Sequence, residues 1–284
     1  MINIKSFSTS IAPTWCPGCG NFSILTALKQ ALTELEIEHK DVAMLFGIGC
    51  SGNMADFIKV NGFHGLHGRA IANAIGIKLA NQKLKVIVTG GDGDLYGEGL
   101  NHFLAAARGN HDITVLVHNN ERYSLTTGQA SPVSPKGTKA KSTPQGMIED
   151  SLNPLALAIA ADATLVGRAF AGKVKETVAM IKQAILHEGF SVLDILQPCP
   201  SFNKGQDYKW YLEHTQDLPA DYQNQNQQAA LMRAMQEDQF ELGIFYENKE
   251  KLAYHQQVPQ LAKQSLIEQF PGKLDLSKAM ASFI

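Results

Sequence analysis

Residues 85–94 read KVIVTGGDGD, an apolar run that ends in a glycine-rich, acidic turn. A helical pattern follows at 99–108, and the next apolar run, ITVLVH at 113–118, ends in Asn119 and Asn120. Near-continuous apolar runs are typical of strands that are buried on both faces of a sheet. The order strand, helix, strand predicts a parallel pair, so Asp92 and Asn120 are expected at the same edge of one sheet.

The chain repeats this alternation up to about residue 201. Further strands are predicted at 42–46, 163–166 and 191–196, and further helices at 21–35, 66–80 and 173–188. The sequence therefore predicts an α/β fold with a doubly wound parallel sheet over residues 1–201. Residues 202–284 are polar and glutamine-rich, which predicts an extended or helical C-terminal arm rather than a second domain.

The paired strand ends predict a metal and diphosphate site. Ligands of parallel sheets bind beyond the carboxyl ends of the strands, and carboxylate and amide oxygens suit Mg²⁺. The glycines around Asp92 let backbone N–H groups approach a diphosphate. Alone, Asp92 would be an ordinary turn aspartate, but its pairing with Asn120, 28 positions later, favours the metal site. Asp94 is expected to cap the following helix.

The four cysteines form a second group. Cys16 and Cys19 lie in the turn WCPGCG (15–20), while Cys50 and Cys199 follow predicted strands. Four thiolates can hold one zinc ion or one iron–sulfur cluster, whereas free cysteines also pack as small buried hydrophobes. Spacing alone leaves these alternatives open. A thioredoxin-type motif is disfavoured, because a proline-containing segment rather than a strand precedes the CxxC.

Residues 47–52 read GIGCSG and fit the pattern GxGxxG. A dinucleotide site also needs a following helix and an acidic residue about 20 positions on, at the end of the next strand. Asp56 is too near, and residues 61–65 (NGFHG) do not form a helical pattern. The pattern therefore predicts a tight turn, with an NAD-dependent oxidoreductase as the weaker alternative.

Composition excludes several classes of protein. Of 284 residues, 44% are hydrophobic and 18% are charged, which is typical of a globular fold. The formal net charge of −2 argues against nucleic-acid binding as the main task. The chain has neither the start of a signal peptide nor an apolar run of the ~18 residues that a membrane span needs. A cytoplasmic location is therefore expected.

Several motifs together carry a family resemblance. The sequence GDG at 91–93, followed by Asn119 and Asn120, is similar to the thiamine diphosphate motif of thiamine-dependent enzymes. With this motif, the chain resembles the beta subunits of 2-oxoacid:ferredoxin oxidoreductases over about residues 12–205. The other motifs that carry the resemblance are WCPGCGN (15–21), GIGCSG (47–52), GFHGLHGRA (62–70) and QPC (197–199).

The resemblance implies a set of site residues. Asp92, Asn120 and the backbone carbonyl of Arg122 would bind Mg²⁺. One [4Fe–4S] cluster would be held by Cys16, Cys19, Cys50 and Cys199. The residues that would bind or adjoin thiamine diphosphate are Cys50, Ser51, His67, Gly91, Asp92, Gly93, Asn120, Arg122 and Leu125.

The implied activity is the oxidative decarboxylation of a 2-oxoacid (2-oxoglutarate or pyruvate-like) to acyl-CoA and CO₂, reversible in principle. Electrons would pass through the cluster to ferredoxin. No catalytic side chain is expected in this chain, because the activating glutamate would come from an alpha subunit, which also provides much of the coenzyme A site. Aromatic side chains of the arm would pack on that subunit or cover the cluster: Tyr208, Trp210, Tyr211, Phe245 and Tyr246.

The chain departs from the family pattern at three positions. Many 2-oxoglutarate members read YGLTKGQ after the asparagine pair, whereas residues 123–129 read YSLTTGQ, so Ser124 and Thr127 replace glycine and lysine. Asn53 replaces a second lysine. Both lysines would pair with a substrate carboxylate, so the sequence leaves the choice of 2-oxoacid open. Two alternatives remain: a non-redox thiamine-diphosphate enzyme subunit with a zinc site, and a zinc-stapled interaction subunit.

Overall fold

The computed structural model describes residues 2–236, 239–269 and 276–282. Its strands are β1 (Val42–Phe46), β2 (Asn61–His64), β3 (Lys85–Gly91), β4 (Ile113–Asn119), β5 (Arg122–Tyr123), β6 (Gln129–Ala130), β7 (Leu165–Phe170), β8 (Phe190–Leu196), β9 (Thr215–Asp217) and β10 (Phe240–Glu247). Its α-helices are α1 (Asn21–Glu34), α2 (Ala70–Ala80), α3 (Leu100–Gly109), α4 (Pro154–Ala160), α5 (Val174–Leu186), α6 (Tyr208–His214), α7 (Gln227–Ala234), α8 (Tyr254–Gln257) and α9 (Ser277–Ala281).

One mixed sheet contains eight of these strands, in the order β2-β1-β3-β4-β8-β7-β10-β9. Paired strands are parallel except β10, which runs antiparallel to β7. The short strands β5 and β6 form a separate antiparallel pair. The predicted α/β fold with a mostly parallel sheet is confirmed.

Helices cover both faces of the sheet. On one face α1 packs against α5, and on the other face α2, α3, α4 and α7 follow one another. The apolar stripe of α1, including Ile24, Leu28 and Leu32, is buried against the strands because these residues recur at helical spacing. Helix α2 begins four residues later than predicted, since the left-handed Gly68 (φ 68°) and Arg69 complete a turn first.

Two strands differ from the sequence prediction for physical reasons. Strand β7 runs to Phe170 rather than 166, because Arg168 is buried within it beside Asp194, and a charged residue hides a strand from an apolar pattern. Strand β2 was not predicted. Its four residues are all exposed at the edge of the sheet, so their sequence lacks the apolar pattern that predicts a buried strand.

The segment after residue 201 also takes part in the fold. Strands β9 and β10, which were not predicted from the sequence, extend the sheet beyond β7. The expectation that the arm's aromatic residues serve a partner is wrong for Tyr211, Phe245 and Tyr246, which are buried in this chain's own core. The division into residues 1–201 and 202–284 stays a prediction. Within the described ranges, no helix is long and apolar enough to cross a membrane.

Candidate functional site

The carboxyl ends of β1, β3, β4 and β8 form the edge where the predicted site residues lie. These four strands are neighbours in the sheet, so the turns that follow them are adjacent. They border a cleft of about 460 Å³, counting its open mouth. The predicted site residues that line this cleft are Cys50, Ser51, His67, Gly91, Gly93, Asn120, Arg122 and Leu125.

Asp92 follows β3 and is completely buried. Its Oδ1 accepts a hydrogen bond from the Asn120 backbone N–H at 3.3 Å, while its Oδ2 has no hydrogen-bond partner among the described residues. Burial raises the pKa of this carboxyl group to about 7. The Ser51 hydroxyl, which lines the cleft, is also buried without a partner in the described part of the chain. Two unpaired buried oxygens fit a site that takes a cation and its ligands.

Both polar atoms of the Asn120 side-chain amide make hydrogen bonds. Its Nδ2 donates to Gln197 Oε1 at 2.8 Å, and its Oδ1 accepts from the Arg122 N–H at 3.0 Å. The left-handed conformation of Glu121 (φ 58°) makes the tight turn that brings Arg122 back to the Asn120 oxygen. The three predicted Mg²⁺ ligands, Asp92, Asn120 and Arg122, are therefore linked by direct hydrogen bonds through Asn120.

A buried carboxylate beneath this edge links the segments that follow β3 and β4. Asp194 on β8 accepts from Asn119 Nδ2 at 3.1 Å and from the Tyr96 hydroxyl at 3.2 Å, and Arg168 Nε lies 3.5 Å from its second oxygen. Tyr96 belongs to the π-helical segment Gly93–Glu98 that follows Asp92. This network was not predicted from the sequence, although the acidic residue inside the apolar run FSVLDIL (190–196) is a signal for it.

Glycines make room in the cleft. A Cβ at Gly93 would lie 2.5 Å from the Tyr123 ring, so only glycine fits there. A Cβ at Gly91 would meet nothing closer than 3.8 Å, which is the open space of the cleft. In the GIGCSG turn, a Cβ at Gly52 would lie 1.9 Å from the Gly47 carbonyl oxygen. A short 3₁₀ helix (Gly52–Asp56) and the edge strand β2 follow this turn, which does not match a dinucleotide fingerprint.

His67 and Asp94 form a pair at the wall of the cleft. His67 Nδ1 lies 2.7 Å from Asp94 Oδ1, which also accepts from the Gly68 N–H at 2.9 Å. The prediction that Asp94 caps the following helix is wrong: its carboxylate instead binds the turn that precedes α2. His64, three residues before His67, has its Nε2 3.0 Å from the Gly47 carbonyl oxygen. This contact is a structural one.

All four cysteines line one pocket of about 710 Å³. The CPGC turn is closed by a hydrogen bond from the Cys19 N–H to the Cys16 carbonyl at 3.0 Å, and Trp15 Nε1 donates to the Cys50 carbonyl at 2.6 Å. Burial and the charges of the other cysteines raise the pKa of Cys19 to about 12 and that of Cys50 to about 11. Four thiols around one pocket ionise together only when a positively charged group lies among them, so the donor set fits a group of the size of a cluster.

The three departures from the family pattern occupy different places. Ser124 is buried and lines both the cleft and the cysteine pocket. Asn53 lines the cysteine pocket. Thr127 is exposed and has φ 79°, a conformation that a β-branched residue rarely adopts.

Two family profiles match the chain. The family profile described as "Thiamine pyrophosphate enzyme, C-terminal TPP binding domain" matches residues 47–195. A second profile, which describes the C-terminal part of the pyruvate ferredoxin oxidoreductase beta chain, matches residues 199–263. This second match shows that much of the segment after residue 201 is also similar to this enzyme group. Neither match supports the NAD-dependent or the zinc-stapled alternative.

Individual relatives cover nearly the whole chain. It is 45% identical over 258 residues to a 2-oxoacid:ferredoxin oxidoreductase subunit beta of Saccharolobus solfataricus, covering 86% of this chain and 85% of the relative. It is 41% identical to the subunit beta of 2-oxoacid:ferredoxin oxidoreductase 1 of Aeropyrum pernix, covering 97% and 90%. A solved 2-oxoglutarate:ferredoxin oxidoreductase from Magnetococcus marinus matches with a TM-score of 0.89 and 36% identity, covering 99% of this chain and 96% of that one. The chain belongs to the family of 2-oxoacid:ferredoxin oxidoreductase beta subunits.

Proposed function

We propose that this beta subunit binds thiamine diphosphate through Mg²⁺ in the cleft and holds one [4Fe–4S] cluster in the cysteine pocket. Asp92, Asn120 and the Arg122 carbonyl would hold the Mg²⁺. Cluster ligation is assigned to Cys16, Cys19, Cys50 and Cys199. The reaction would convert a 2-oxoacid and coenzyme A to acyl-CoA and CO₂, and two electrons would leave one at a time for two ferredoxins.

One observation carries this proposal: the two pockets share a wall. The residues that line both of them are Cys50, Asn120, Ser124, Leu125 and Gln197. A subunit that passes electrons from a bound cofactor to a cluster needs the two groups side by side. A zinc site that only stabilises the fold would not need to adjoin the cleft.

When bound, thiamine diphosphate supplies a carbanion that attacks the keto carbon and accepts the electrons released with CO₂, and the cluster relays those electrons. The chain's own residues do the positioning. Asp92 and Asn120 supply hard oxygen ligands at the end of the sheet. Gly91 would keep space for the diphosphate beside backbone N–H groups, and Gly93 keeps space for the Tyr123 ring. Gln197 fixes the orientation of the Asn120 amide, because it accepts from the amide nitrogen.

The cleft needs a second subunit. No glutamate lines it among the described residues, so a glutamate that activates the cofactor has to come from elsewhere, which supports an alpha subunit. Leu125, which lines the cleft, is 52% exposed, and Leu66, which precedes the cleft residue His67 in the sequence, is 76% exposed. Exposed apolar groups beside an open cleft are typical of a protein interface.

The substrates and the cellular location are proposed on indirect evidence. The solved relative from Magnetococcus marinus is described with 2-oxoglutarate, coenzyme A and succinyl-CoA bound, which supports a 2-oxoacid and coenzyme A as substrates here. Asn53 and Thr127 stand where many 2-oxoglutarate members have lysine, so the proposal covers both 2-oxoglutarate and a pyruvate-like 2-oxoacid. A cytoplasmic location is proposed, since reducing conditions keep four thiols available for a cluster.

The first experiment measures iron and acid-labile sulfide in the chain purified anaerobically with its alpha subunit. Close to four irons and four sulfides per beta chain, lost on exposure to air, would support the cluster. Addition of a 2-oxoacid, coenzyme A and thiamine diphosphate should then reduce ferredoxin. One zinc and no sulfide would contradict the redox function and leave a non-redox thiamine-diphosphate enzyme.

A further inference from the structure

Two side chains connect Asn120 directly to the cysteine pocket. Gln197 accepts from Asn120 Nδ2 at 2.8 Å and donates through its own Nε2 to Cys19 Sγ at 3.3 Å. Ser124 Oγ lies 3.3 Å from Asn120 Oδ1 and 3.3 Å from Cys199 Sγ. All these atoms are buried. A change at Asn120 can therefore reach two of the four cysteines through one intervening side chain each.

The two bridges differ in the protons they can offer. The Gln197 amide has two N–H groups and uses them on separate acceptors, Cys19 Sγ and the Pro198 carbonyl at 2.7 Å. Both N–H groups of the Gln197 amide therefore already have an acceptor. Ser124 has a single hydroxyl proton and two neighbours that can accept it, Asn120 Oδ1 and, once ionised as a ligand, Cys199 Sγ. Only one of them can receive the proton at a time.

Binding of a cation at Asn120 decides this competition. The amide oxygen has two lone pairs, and it already accepts from the Arg122 N–H at 3.0 Å and from Ser124 at 3.3 Å. A metal bond needs one lone pair, and the longer hydrogen bond is the weaker one. The Ser124 hydroxyl is then released towards Cys199.

We propose that Ser124 is a positioning residue that couples the Mg²⁺–diphosphate site to the cluster through Cys199. With Asn120 Oδ1 free, the hydroxyl donates to Asn120. With Asn120 Oδ1 bound to Mg²⁺, it donates to the Cys199 thiolate. A donor to a ligating sulfur stabilises the more negative, reduced cluster, so cofactor binding raises the reduction potential. By linkage, reduction of the cluster tightens cofactor binding by the same factor.

Ser124 departs from the sequence that many 2-oxoglutarate members of the family have at this position. The stretch it resembles reads YGLTKGQ, and a glycine at this position has no hydroxyl. In YSLTTGQ (123–129) the serine adds one proton at the wall that the two pockets share. The proposal rests on the proposed function, because it needs both the cluster and the Mg²⁺ site.

The test is a redox titration followed by electron paramagnetic resonance. The anaerobic complex with its alpha subunit is freed of thiamine diphosphate and titrated with and without added Mg²⁺–thiamine diphosphate. The wild type, Ser124→Ala, Ser124→Gly and Ser201→Ala are compared. Ser201 is the matched control, because its hydroxyl donates to Cys16 Sγ at 3.1 Å and no hydrogen bond joins it to Asn120.

We expect the wild-type cofactor response to differ from that of both Ser124 variants by about tenfold in the ratio of reduced to oxidised cluster, or about 59 mV. The Ser201→Ala protein should have a lower potential but keep the wild-type response. Cofactor affinity, measured by calorimetry before and after reduction with dithionite, should rise about tenfold more in the wild type than in Ser124→Gly. If both Ser124 variants respond like the wild type, the charges of the cofactor explain the response and the coupling is refuted. Absence of iron and sulfide from the wild type would overturn the proposed function as well, so the two failures are distinguishable.

Discussion

Replacement of Asp92 by asparagine should stabilise the cofactor-free protein and at the same time destroy its cofactor site. Burial raises the pKa of Asp92 from 3.8 to about 7, so the folded protein resists ionising this group. The unfolded chain loses the proton near pH 4, while the folded chain keeps it until about pH 7. The free energy of unfolding therefore falls as the pH rises through this window.

The size of the change in the free energy of unfolding follows from the shift in the pKa of Asp92. At about 1.4 kcal/mol per pKa unit, the raised pKa of Asp92 lowers the free energy of unfolding by up to about 4 kcal/mol at pH 8 and by about 2 kcal/mol at pH 5. Asparagine has nearly the same shape and no charge, so Asp92→Asn removes this cost. Any stability that is lost because the N–H₂ group of the new asparagine is buried is the same at both pH values. The gain in unfolding free energy should thus be about 2–3 kcal/mol larger at pH 8 than at pH 5.

The assay is thermal unfolding of the chain after treatment with EDTA, followed by circular dichroism at pH 5 and pH 8. A gain on the order of 10 °C is expected at pH 8 and less than half of it at pH 5. Added Mg²⁺–thiamine diphosphate should protect the wild type and leave Asp92→Asn unchanged. Asp217→Asn, which changes an exposed carboxylate paired with Lys173, is the control. A pH-independent difference, or protection of the variant by the cofactor, would refute the reasoning.

Three further outcomes are expected. Cys199→Ser should lose or weaken the cluster, seen as a lower iron and sulfide content and a lower visible absorbance; unchanged content would remove this residue from the ligand set. Tyr96→Phe removes one hydrogen bond to the Asp194 carboxylate, worth about 1.5 kcal/mol, and should weaken Mg²⁺–thiamine diphosphate binding about tenfold in calorimetry; equal affinity would show that Asn119 alone fixes the turn. Asn53→Lys combined with Thr127→Lys should raise the efficiency on 2-oxoglutarate relative to pyruvate, and an unchanged ratio would assign selectivity to the alpha subunit.

The parallel part of the fold could be predicted because its signals are local. Residues 42–46, 85–89 and 191–196 are apolar runs, and each lies within an observed strand. The adjacency of Asp92 and Asn120 followed from strand order alone, and the structure joins them by a hydrogen bond. Their roles as metal ligands stay predictions.

The rest could not be predicted because it depends on contacts between distant residues. Strand β10 pairs antiparallel with β7, about 75 residues earlier in the chain, and no local pattern encodes that partner. Arg168 and Asp194 are tolerated inside buried strands because each lies beside the other, so either residue alone argues against a buried strand. Gln197 was noticed only as part of a family motif, since its contacts with Asn120 and Cys19 span more than 70 residues.

The choice of asparagine rather than aspartate at position 120 links the two halves of the site. Either side chain has an oxygen that suits Mg²⁺. Only asparagine also has an N–H₂ group for the Gln197 carbonyl oxygen, and this contact leaves the Gln197 amide nitrogen directed at Cys19. An aspartate would place a charge against that carbonyl oxygen and near the buried Asp92, which burial already disfavours as an anion. The same amide therefore orients the predicted Mg²⁺ ligand on one side and a donor to a cysteine sulfur on the other, so we expect the cofactor cleft and the cysteine pocket to depend on one residue for their geometry.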